Sequence, residues 1–570
     1  MLLSKNQAMP NNTQVLTNAE IADRLSSLVQ LLSMEKANPY KIRAYRRAAN
    51  TIRALGESVD ELVRTKADLT VYAGIGEAIS GAIREIVLTG TLASLEKLRS
   101  HASPELLSIS AYPRLDPKRV LRIFKKLQIS SVEALHQALE SGAVEQNFGS
   151  RMAQHVRQGL VQTGAILLYH AHDLVLSIEA YLLKRAGAKR AEAVGDYRRR
   201  VEVIEELSFV VETNDFAKLI SEMERYGGRT SLLESTSDSA LFALSSGPRL
   251  RIDLADASNW GLSLIWRTGS KAHLKKLVTV TGSLSSLKAN GSFATEQSFY
   301  DSFRMAFIDP ELREGLKEVR QARRGNLPAL VSRGDIQGDL HMHTRASDGS
   351  NSIEQMAAAA QDTGYAYIGI SDHSQSLKIA GGVSEEALWT QIRKIDQLNE
   401  DLDGFRILKS AEVDILADGA LDYSDDLLRE LDYTVCSIHS RFAFGREQQT
   451  ERILRAMDNR FFTILGHATG RLLLKRPGYE IDMERIALHA KQSGCFFEIN
   501  SSPDRLDLSA ENARVSAALG ILIAISTDAH STHELGTIRY GIEQARRAGL
   551  ERTSVLNCLP LERLAMLLKR

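Results

Sequence analysis

The sequence predicts a multidomain protein in which a helical and α+β front half precedes a carboxyl-terminal α/β barrel. Its 570 residues exceed the ~300 that one hydrophobic core usually serves, so several domains are expected. From Ile336 onward, short apolar runs alternate with helix-length segments, a pattern typical of βα units around a parallel sheet. Most of these runs lead into a histidine, glutamate or aspartate. Because functional groups of βα barrels gather at the carboxyl ends of the strands, we expect these side chains to converge.

Seven apolar runs are the strand candidates of this barrel. The first leads into His341 and His343, which project to the same side because successive side chains of a strand alternate between its faces. Taken alone, two histidines at this spacing are a weak signal. The later runs add Asp372-His373, Glu412-Val413-Asp414, His439, His467, Glu498-Ile499-Asn500 and Asp528-Ala529-His530. Six of the seven runs, all except the one before Glu498, deliver a histidine, glutamate or aspartate that the metal interpretation uses, and the sequence predicts a metal cluster at the rim of the barrel.

These motifs resemble those of the PHP (polymerase and histidinol phosphatase) metal-dependent phosphoesterases. The likeness is carried by His341-x-His343, Asp348, Asp372-His373, Glu412-Val413-Asp414, Ser437-Ile438-His439, Leu465-Gly466-His467 and Thr527-Asp528-Ala529-His530. The resemblance implies a distorted seven-stranded (βα) barrel with up to three Mn²⁺ or Zn²⁺ ions, which mixed imidazole and carboxylate ligands suit. The implied ligand sets are His341, His343, Glu412 and Asp528 for one ion, Glu412, His439 and His467 for a second, and Asp348, His373 and His530 for a third.

The chemistry that this resemblance implies is hydrolysis of a phosphoester. Closely spaced divalent ions lower the pKa of a bridging water and stabilise both the attacking and the leaving oxygen. Arg471, which follows His467 in the same loop, is the candidate catalytic arginine, because a guanidinium makes bidentate contacts to phosphate. The alternative is that Arg471 is an ordinary surface arginine.

The composition limits the kinds of protein that this chain can be. Lys+Arg and Asp+Glu both number 71, so no global positive charge indicates nucleic-acid binding, and DNA contacts must come from local patches. The three cysteines, Cys436, Cys495 and Cys558, are widely spaced and predict a reduced intracellular protein without disulfides. The amino terminus lacks a signal peptide, and no run reaches the ~18 apolar residues that span a bilayer. We expect a cytoplasmic monomer without a membrane partner.

The front of the chain pairs a basic helix with a glycine turn. Residues 38–49 interleave four cations with two tyrosines, which suits contact with a phosphate backbone. Gly74-Ile75-Gly76 then opens a helix, whose free backbone N–H groups can hold a phosphate without sequence preference. These features resemble the helix-hairpin-helix of the amino-terminal domain of family X DNA polymerases, the group that contains polymerase beta. Ala82 stands at the position of the family's lyase lysine, so no lyase activity is expected from it.

A second, degenerate hairpin is expected at residues 113–120. Arg114 and Asp116 stand where the motif has glycines, so their side chains would obstruct close backbone approach, and Asp116 would repel phosphate. The basic run that follows still favours weak, non-specific contact with DNA.

The middle of the chain resembles the palm of family X polymerases. Gly195-Asp196-Tyr197-Arg198-Arg199 stands where the family has Gly-Ser-x-Arg-Arg, and Asp196 would repel an incoming triphosphate. The family holds Mg²⁺ with three carboxylates. Here Glu206 replaces the first, Ser208 replaces the second, and Asp253 keeps the third. Because one bridging carboxylate is missing, we expect the palm fold without polymerase activity.

The resemblance covers nearly the whole chain and implies six segments. They are a helical DNA-binding domain at 1–95, a fingers-like domain at 96–170, a nucleotidyltransferase palm at 171–260, a thumb at 261–318, a linker at 319–334 and the PHP barrel at 335–570. The candidate DNA- or nucleotide-binding residues are Gly74, Gly76, Gly195, Arg198, Gly269 and Ser270.

The leading hypothesis is a DNA-repair protein whose PHP domain is a metal-dependent 3′–5′ exonuclease on gapped or single-stranded DNA ends. Three alternatives stay open. The chain could be an active, Mg²⁺-dependent DNA polymerase with a PHP editing domain, in which case Glu206 and Asp253 are catalytic. It could be a phosphatase of small phosphate monoesters, or a DNA-binding scaffold without catalysis.

Overall fold

The structure is a computed structural model that describes residues 15–34, 38–101, 117–149, 152–153, 156, 164–228, 230–244 and 247–568. The chain divides into two compact units. One comprises Met1–Ser270 and Val278–Phe303, and the other comprises Lys271–Leu277 and Arg304–Arg570. The predicted thumb therefore supplies residues to both units. Arg114 and Asp116 of the second predicted hairpin lie outside the described residues.

The front of the first unit is helical. Its elements are Asn18–Met34, Pro39–Ala54, Val59–Arg64, the 3₁₀ turn Leu69–Val71, Glu77–Thr89 and Ala93–His101. They share one apolar core, to which the first helix contributes Ile21, Leu25 and Leu28 at helical spacing. A further helical group with its own core around Phe124 comprises Pro117–Leu127, Val132–Glu140 and Ala143–Phe148.

No single helix in the described part of the chain is long and apolar enough to cross a membrane. Only a bent pair, Glu77–Thr89 with Ala93–Arg99, passes the criteria of length and composition.

A five-stranded mixed sheet lies in the middle of the first unit. Its strand order is Arg190–Val194, Glu206–Glu212, Arg249–Leu254, Ser239–Ala243 and Ser231–Ser235. The second and third strands of this order run parallel, and their register places Ser208 beside Arg251 and Val210 beside Asp253. The predicted palm positions therefore lie on adjacent strands.

Further helices and short segments lie in this part of the chain. They are the strand pair Ile166–Leu167 and Val203–Ile204, the helices Leu168–Lys184, Gly195–Arg198, Phe216–Met223, Trp260–Thr268, Lys271–Thr281, Leu284–Asn290 and Glu296–Ser302, and the 3₁₀ turns Tyr226–Gly228 and Ala257–Asn259. The helix Lys271–Thr281 spans a boundary between the two units.

In the second unit, each of the seven predicted runs contains a strand. The strands are Gly338–Met342, Tyr367–Ile370, Arg406–Lys409, Val435–Ser437, Ile464–Leu465, Phe496–Asn500 and Ile523–Ser526, and a short additional strand, Glu412–Asp414, follows the third run. Their ladders are all parallel, as the βα pattern predicts. Both Gly338–Met342 and Phe496–Asn500 are buried along their whole length, which is typical of parallel strands covered on both faces.

These strands form a three-stranded and a five-stranded sheet rather than one continuous ladder. Single bridges join the two sheets at Met342 with Ala529 and at His373 with Glu412. One apolar cluster takes a side chain from every run: Leu340, Tyr367, Leu408, Val435, Ile464, Phe496 and Ala524 are among its members. The closed seven-stranded barrel itself stays a prediction.

Helices alternate with the strands of the second unit. They are Glu318–Arg324, Ile353–Asp362, Glu385–Asp401, Asp425–Leu428, Arg446–Met457, Met483–Ser493, Ala510–Ala518, Ile538–Ala548 and Leu561–Leu568, with 3₁₀ turns at Pro310–Leu312, Arg333–Asp335, Lys378–Ala380, Thr532–Thr537, Arg552–Ser554 and Leu556–Cys558. A large apolar core lies between these helices and the strands. It includes Cys436, Cys495 and Cys558, which are buried free cysteines.

Candidate functional sites

The strand ends of the second unit bring the predicted histidines and carboxylates into one buried cluster. His341 and His343 are fully buried near the end of strand Gly338–Met342. Backbone hydrogen bonds join this strand end to the segment after the last strand, from Asp528 N–H to the His341 carbonyl (2.9 Å) and from His343 N–H to the Ala529 carbonyl (2.8 Å). The first and last predicted motifs are therefore neighbours, although 185 residues separate His343 from Asp528.

Glu412 is the centre of this cluster. Its Oε1 lies 2.9 Å from His467 Nε2 and 3.3 Å from His439 Nε2. Its Oε2 lies 2.6 Å from His373 Nδ1. The Nε2 atoms of His341 and His343 stand 3.6 and 3.7 Å from the same Oε2. One buried carboxylate thus faces imidazoles from four different strand ends.

Asp528 and Asp348 complete the cluster on its other sides. Asp528 Oδ1 lies 3.0 Å from His343 Nε2 and 3.7 Å from His341 Nε2. Asp348 Oδ1 lies 3.2 Å from His530 Nε2 and 3.6 Å from His373 Nε2. All nine residues predicted as ligands are therefore brought together: His341, His343, Asp348, His373, Glu412, His439, His467, Asp528 and His530.

Three groups of these side chains have potential ligand atoms within 4.8 Å of one another. They are His341, His343 and Asp528; His373, Glu412 and His439; and His343, Asp348, His373 and His530. The groups overlap the predicted ligand sets without coinciding with them, because His343 and His373 each join two groups. All three groups lie in the second unit, so the palm residues Glu206 and Asp253 belong to none of those found in the described residues.

The donor set fits divalent cations such as Mn²⁺ or Zn²⁺. His341 Nε2 and Glu412 Oε2 are buried and have no hydrogen-bond partner among the described residues. The 3.6 Å between them is long for a hydrogen bond, but ligands about 2.1 Å from one ion stand roughly 3.0–3.5 Å apart. A shared cation would satisfy both atoms at once.

Carboxylates outside the predicted ligand set orient the histidines. Glu498 Oε1 lies 2.7 Å from His341 Nδ1, and its Oε2 accepts the backbone N–H of His467 (2.8 Å). Asp414 Oδ1 lies 3.1 Å from His439 Nδ1. Such contacts fix the tautomer and the ring orientation, leaving Nε2 for a metal. Sequence reasoning placed Glu498 and Asp414 at strand ends, but only the fold shows which histidine each one contacts.

The electrostatics of the cluster follow from burying imidazoles among carboxylates. Burial opposes protonation, yet Glu412 and Asp414 raise the pKa of His439 to about 10. The pKa of His530 is likewise raised to about 9, against its burial, by Asp348 and Asp528. Burial and the neighbouring His530 and His373 lower the pKa of His343 to about 4. Without metal, His439 and His530 therefore keep a proton at neutral pH, whereas His343 stays neutral.

Arg471 contacts the backbone of the loop around residue 505. Its Nε donates to the Arg505 carbonyl (3.0 Å), and its Nη2 donates to the neighbouring Leu506 carbonyl. These two bonds join the guanidinium to the backbone of another loop, and its role as a phosphate clamp stays a prediction.

The palm positions of the first unit have a different environment. Glu206 Oε1 lies 3.1 Å from Arg251 Nε, and its Oε2 lies 3.6 Å from Arg249 Nη2. Asp253 is only 3% exposed, and its Oδ1 lies 2.6 Å from Arg267 Nη2. Ser208 stands beside Arg251 in the register. Both remaining carboxylates are thus ion-paired with arginines.

The predicted nucleotide-pocket residues are also engaged within the first unit. Arg198 forms a two-pronged ion pair with Glu296 (2.9 and 2.7 Å) and contacts Glu192 at 3.1 Å. Asp196 pairs with Arg199 rather than standing alone. Gly195 begins a short helix with a φ of +66°, and Gly269 caps the helix Trp260–Thr268, with Ser270 directly after it.

Comparisons with known proteins support the predictions for both the front of the chain and the PHP region. The Helix-hairpin-helix domain model matches residues 16–92, and the PHP domain model matches residues 339–502. The DNA polymerase/3′-5′ exonuclease PolX of Bacillus subtilis (strain 168) is 31% identical over 573 residues, which cover 97% of this chain and 99% of that protein. The chain belongs to the PolX family.

Other relatives match a shorter part of this PolX family member. A "Probable phosphatase" of Thermoanaerobacter sp. (strain X514) is 31% identical over 38% of this chain and 89% of its own length. Another "Probable phosphatase", from Syntrophotalea carbinolica, is 27% identical over 38% of this chain and 90% of its own length. The PHP region therefore also occurs as a protein by itself.

The helix-hairpin-helix of this PolX family member has the predicted glycine turn. Gly74 adopts a φ of +82°, and a Cβ there would lie 2.8 Å from Arg47 Cγ, so a side chain would collide. Gly76 is the N-cap of the helix Glu77–Thr89, whose first N–H groups are left for other acceptors. Ala82, at the lyase position, is buried in that helix.

Proposed function

We propose that this PolX family member is a metal-dependent phosphodiesterase, a 3′–5′ exonuclease acting on DNA ends. One observation carries the proposal: Glu412 stands within 3.7 Å of five imidazoles supplied by four strand ends. A buried carboxylate among so many histidines is costly without a function, because each group has to be desolvated.

The proposed ligand sets are those that the PHP resemblance implies. His341, His343, Glu412 and Asp528 would hold one Mn²⁺ or Zn²⁺ ion, Glu412, His439 and His467 a second, and Asp348, His373 and His530 a third. Bound ions would activate water and polarise the phosphate. Glu498 and Asp414 would keep His341 and His439 in the ligating orientation.

DNA is the proposed substrate because of the first unit. On helix Pro39–Ala54, Lys41, Arg43, Arg46 and Arg47 are exposed, and Tyr40 is 72% exposed. These cations suit the phosphate backbone, and the glycine turn at residues 74–76 suits a phosphate at a helix start. A gapped or single-stranded end is the proposed form of the DNA, and the 3′–5′ polarity rests on the name of the B. subtilis relative.

Polymerase activity is proposed to be lost. Two-metal phosphoryl transfer needs carboxylates that bridge both ions, and Ser208 offers none. Glu206 and Asp253 are in addition ion-paired with Arg251 and Arg267, whose positive charges oppose the binding of a cation.

The test is a nuclease assay with end-labelled single-stranded and gapped DNA, supplemented with Mn²⁺ or Zn²⁺. We expect mononucleotides to be released from the 3′ end, and His341→Ala to abolish this release together with part of the bound metal. Equal cleavage by wild type and His341→Ala would exclude the cluster as the catalyst.

Two relatives favour a second candidate function, hydrolysis of small phosphate monoesters. The "Probable phosphatase" relatives span the PHP region alone. Turnover of a phosphate monoester far above turnover of DNA would favour this function. Primer extension that requires Mg²⁺ and is lost in Asp253→Ala would instead restore an active polymerase.

A further inference from the structure

The loop to which Arg471 donates hydrogen bonds carries a second arginine, Arg505. Arg505 Nε lies 3.6 Å from Asp528 Oδ2 in the metal cluster. The same Oδ2 accepts a hydrogen bond from Asn500 Nδ2 (3.0 Å), while Oδ1 faces His343. Asp528 thus turns one oxygen toward the imidazoles and the other toward Arg505.

The rest of the Arg505 guanidinium is available to a ligand. Only its Nε edge faces Asp528, and its two terminal amino groups have no acceptor among the described residues. The side chain is 22% exposed, so these amino groups reach solvent at the rim of the cluster. A planar pair of N–H donors in this position matches two oxygens of a phosphate.

The backbone that carries Arg505 is held in a strained conformation. Leu506 has a φ of +44°, a left-handed value that residues other than glycine rarely adopt. Several contacts hold the loop there. Arg471 binds the carbonyls of Arg505 and Leu506, and Asp507 accepts hydrogen bonds from the N–H (3.0 Å) and the hydroxyl (2.9 Å) of Thr469.

We propose that Arg505 is the arginine that binds the scissile phosphate, and that Arg471 is a positioning residue that acts through it. This proposal rests on the proposed function of the cluster. Arg505 would neutralise negative charge on a non-bridging phosphate oxygen, and that charge grows as the attacking oxygen adds to phosphorus. Arg471 would keep the 505–506 backbone in the strained form that aims Arg505 at the rim.

Charge balance at the site favours this role. Glu412, Asp528, Asp348 and Glu498 surround the place where an anionic phosphate would have to bind. A fixed cation at the rim reduces the repulsion that bound metals leave uncompensated. The simpler alternative is that Arg505 only balances the charge of Asp528, and the two roles predict different outcomes.

The experiment uses the full chain loaded with Mn²⁺, in the variants Arg505→Ala, Arg505→Lys, Arg471→Ala and the double variant. The matched control is Lys475→Ala, because Lys475 pairs with Asp504 (2.8 Å) beside Arg505 and is 55% exposed. Three quantities are measured: metal content, affinity for thymidine 5′-monophosphate by calorimetry, and kcat and KM on DNA and on a chromogenic thymidine phosphodiester.

Arg505→Ala is expected to lower kcat roughly 100-fold and to weaken monophosphate binding about tenfold, with metal content unchanged. Arg505→Lys should recover part of kcat and part of the monophosphate affinity, because lysine keeps the positive charge but lacks the planar pair of N–H donors. Arg471→Ala should lower kcat, yet the double variant should be no worse than Arg505→Ala, because one residue acts through the other. Lys475→Ala should match wild type.

Wild-type monophosphate affinity in Arg505→Ala, or loss of metal as its main effect, would overturn the role of Arg505. Additive losses in the double variant would overturn the positioning role of Arg471. If metal-loaded wild type hydrolyses neither substrate, the proposed function fails. Monophosphate affinity still tests Arg505 in that case, so the two failures are distinguishable.

Discussion

Two sets of carboxylates, one in the sheet of the first unit and one in the PHP region, differ in the residues that neutralise their charge. Glu206 and Asp253 of the palm contact arginines at 3.1 and 2.6 Å. Glu412 and Asp528 of the PHP region contact imidazoles at 2.9 and 3.0 Å. The separations are similar, but the chemistry of the partners is not.

An arginine keeps its proton and has no lone pair to offer, so it cannot become a ligand, and its positive charge opposes a metal ion on the carboxylate that it contacts. An imidazole can release its proton and become a ligand beside the carboxylate that held it. The comparison teaches that the residue paired with a carboxylate, arginine or histidine, decides whether the carboxylate forms a structural ion pair or can help to bind a cation.

The largest effect should come from replacing the central carboxylate of the PHP cluster. Glu412→Gln removes the charge shared by five imidazoles and should lower nuclease activity at least about 1,000-fold through loss of bound metal. Asp253→Asn in the palm should leave the nuclease unchanged. Metal analysis and DNA cleavage assays of both variants check this. A loss of cleavage in Asp253→Asn would contradict the assignment of the nuclease activity to the PHP cluster alone.

The next effect concerns a carboxylate that supports a ligand. Glu498→Gln weakens the acceptor at His341 Nδ1 without removing a proposed ligand. Metal affinity should fall roughly 10–100-fold, the usual consequence of losing such a partner. Titration of metal-free protein with Mn²⁺ measures the change. An affinity equal to wild type would mean that packing alone orients His341.

Metal affinity of the PHP cluster should rise with pH, by about tenfold per pH unit for each proton displaced. His439, with its pKa near 10, and His530, near 9, hold protons at neutral pH and must lose them to bind metal. Calorimetry in buffers of different ionisation enthalpy counts the released protons. A pH-independent affinity would show that these rings are not ligands.

The raised pKa values of His439 and His530 act in the opposite direction on the stability of the metal-free protein, which should fall as pH rises. A folded-state pKa raised above its unfolded value of about 6.5 adds stability that is complete below pH 6.5. This contribution should be lost as pH rises through 9 to 10, so the melting temperature of chelator-treated protein should fall across that window.

The smallest effect should be in the palm, where Asp253→Asn leaves Arg267 without its carboxylate. We expect the first unit to lose about 1–3 kcal/mol of unfolding free energy, because Asp253 is buried. Asp238→Asn, an exposed substitution in the same sheet region, is the control. Thermal unfolding of both checks this. An unchanged stability in Asp253→Asn would argue against a structural ion pair.

Much of this molecule could be predicted from local patterns. The seven apolar runs became strands because alternating βα segments leave few other ways to bury them. His341 and His343 share a site because side chains two apart on a strand lie on the same face. The helix-hairpin-helix followed from a glycine turn, whose φ of +82° at Gly74 few other residues adopt.

The sequence by itself determined which residue types stand at the strand ends, and hence the family, the two matched domains and the missing palm carboxylate at Ser208. Only the tertiary structure decided the partners: arginines on Glu206 and Asp253, Glu498 on His341, and Arg471 on the loop of Arg505. The physical reason is that strand periodicity is local. A side chain's partners come instead from loops and strands tens of residues away, which the chain positions only by folding.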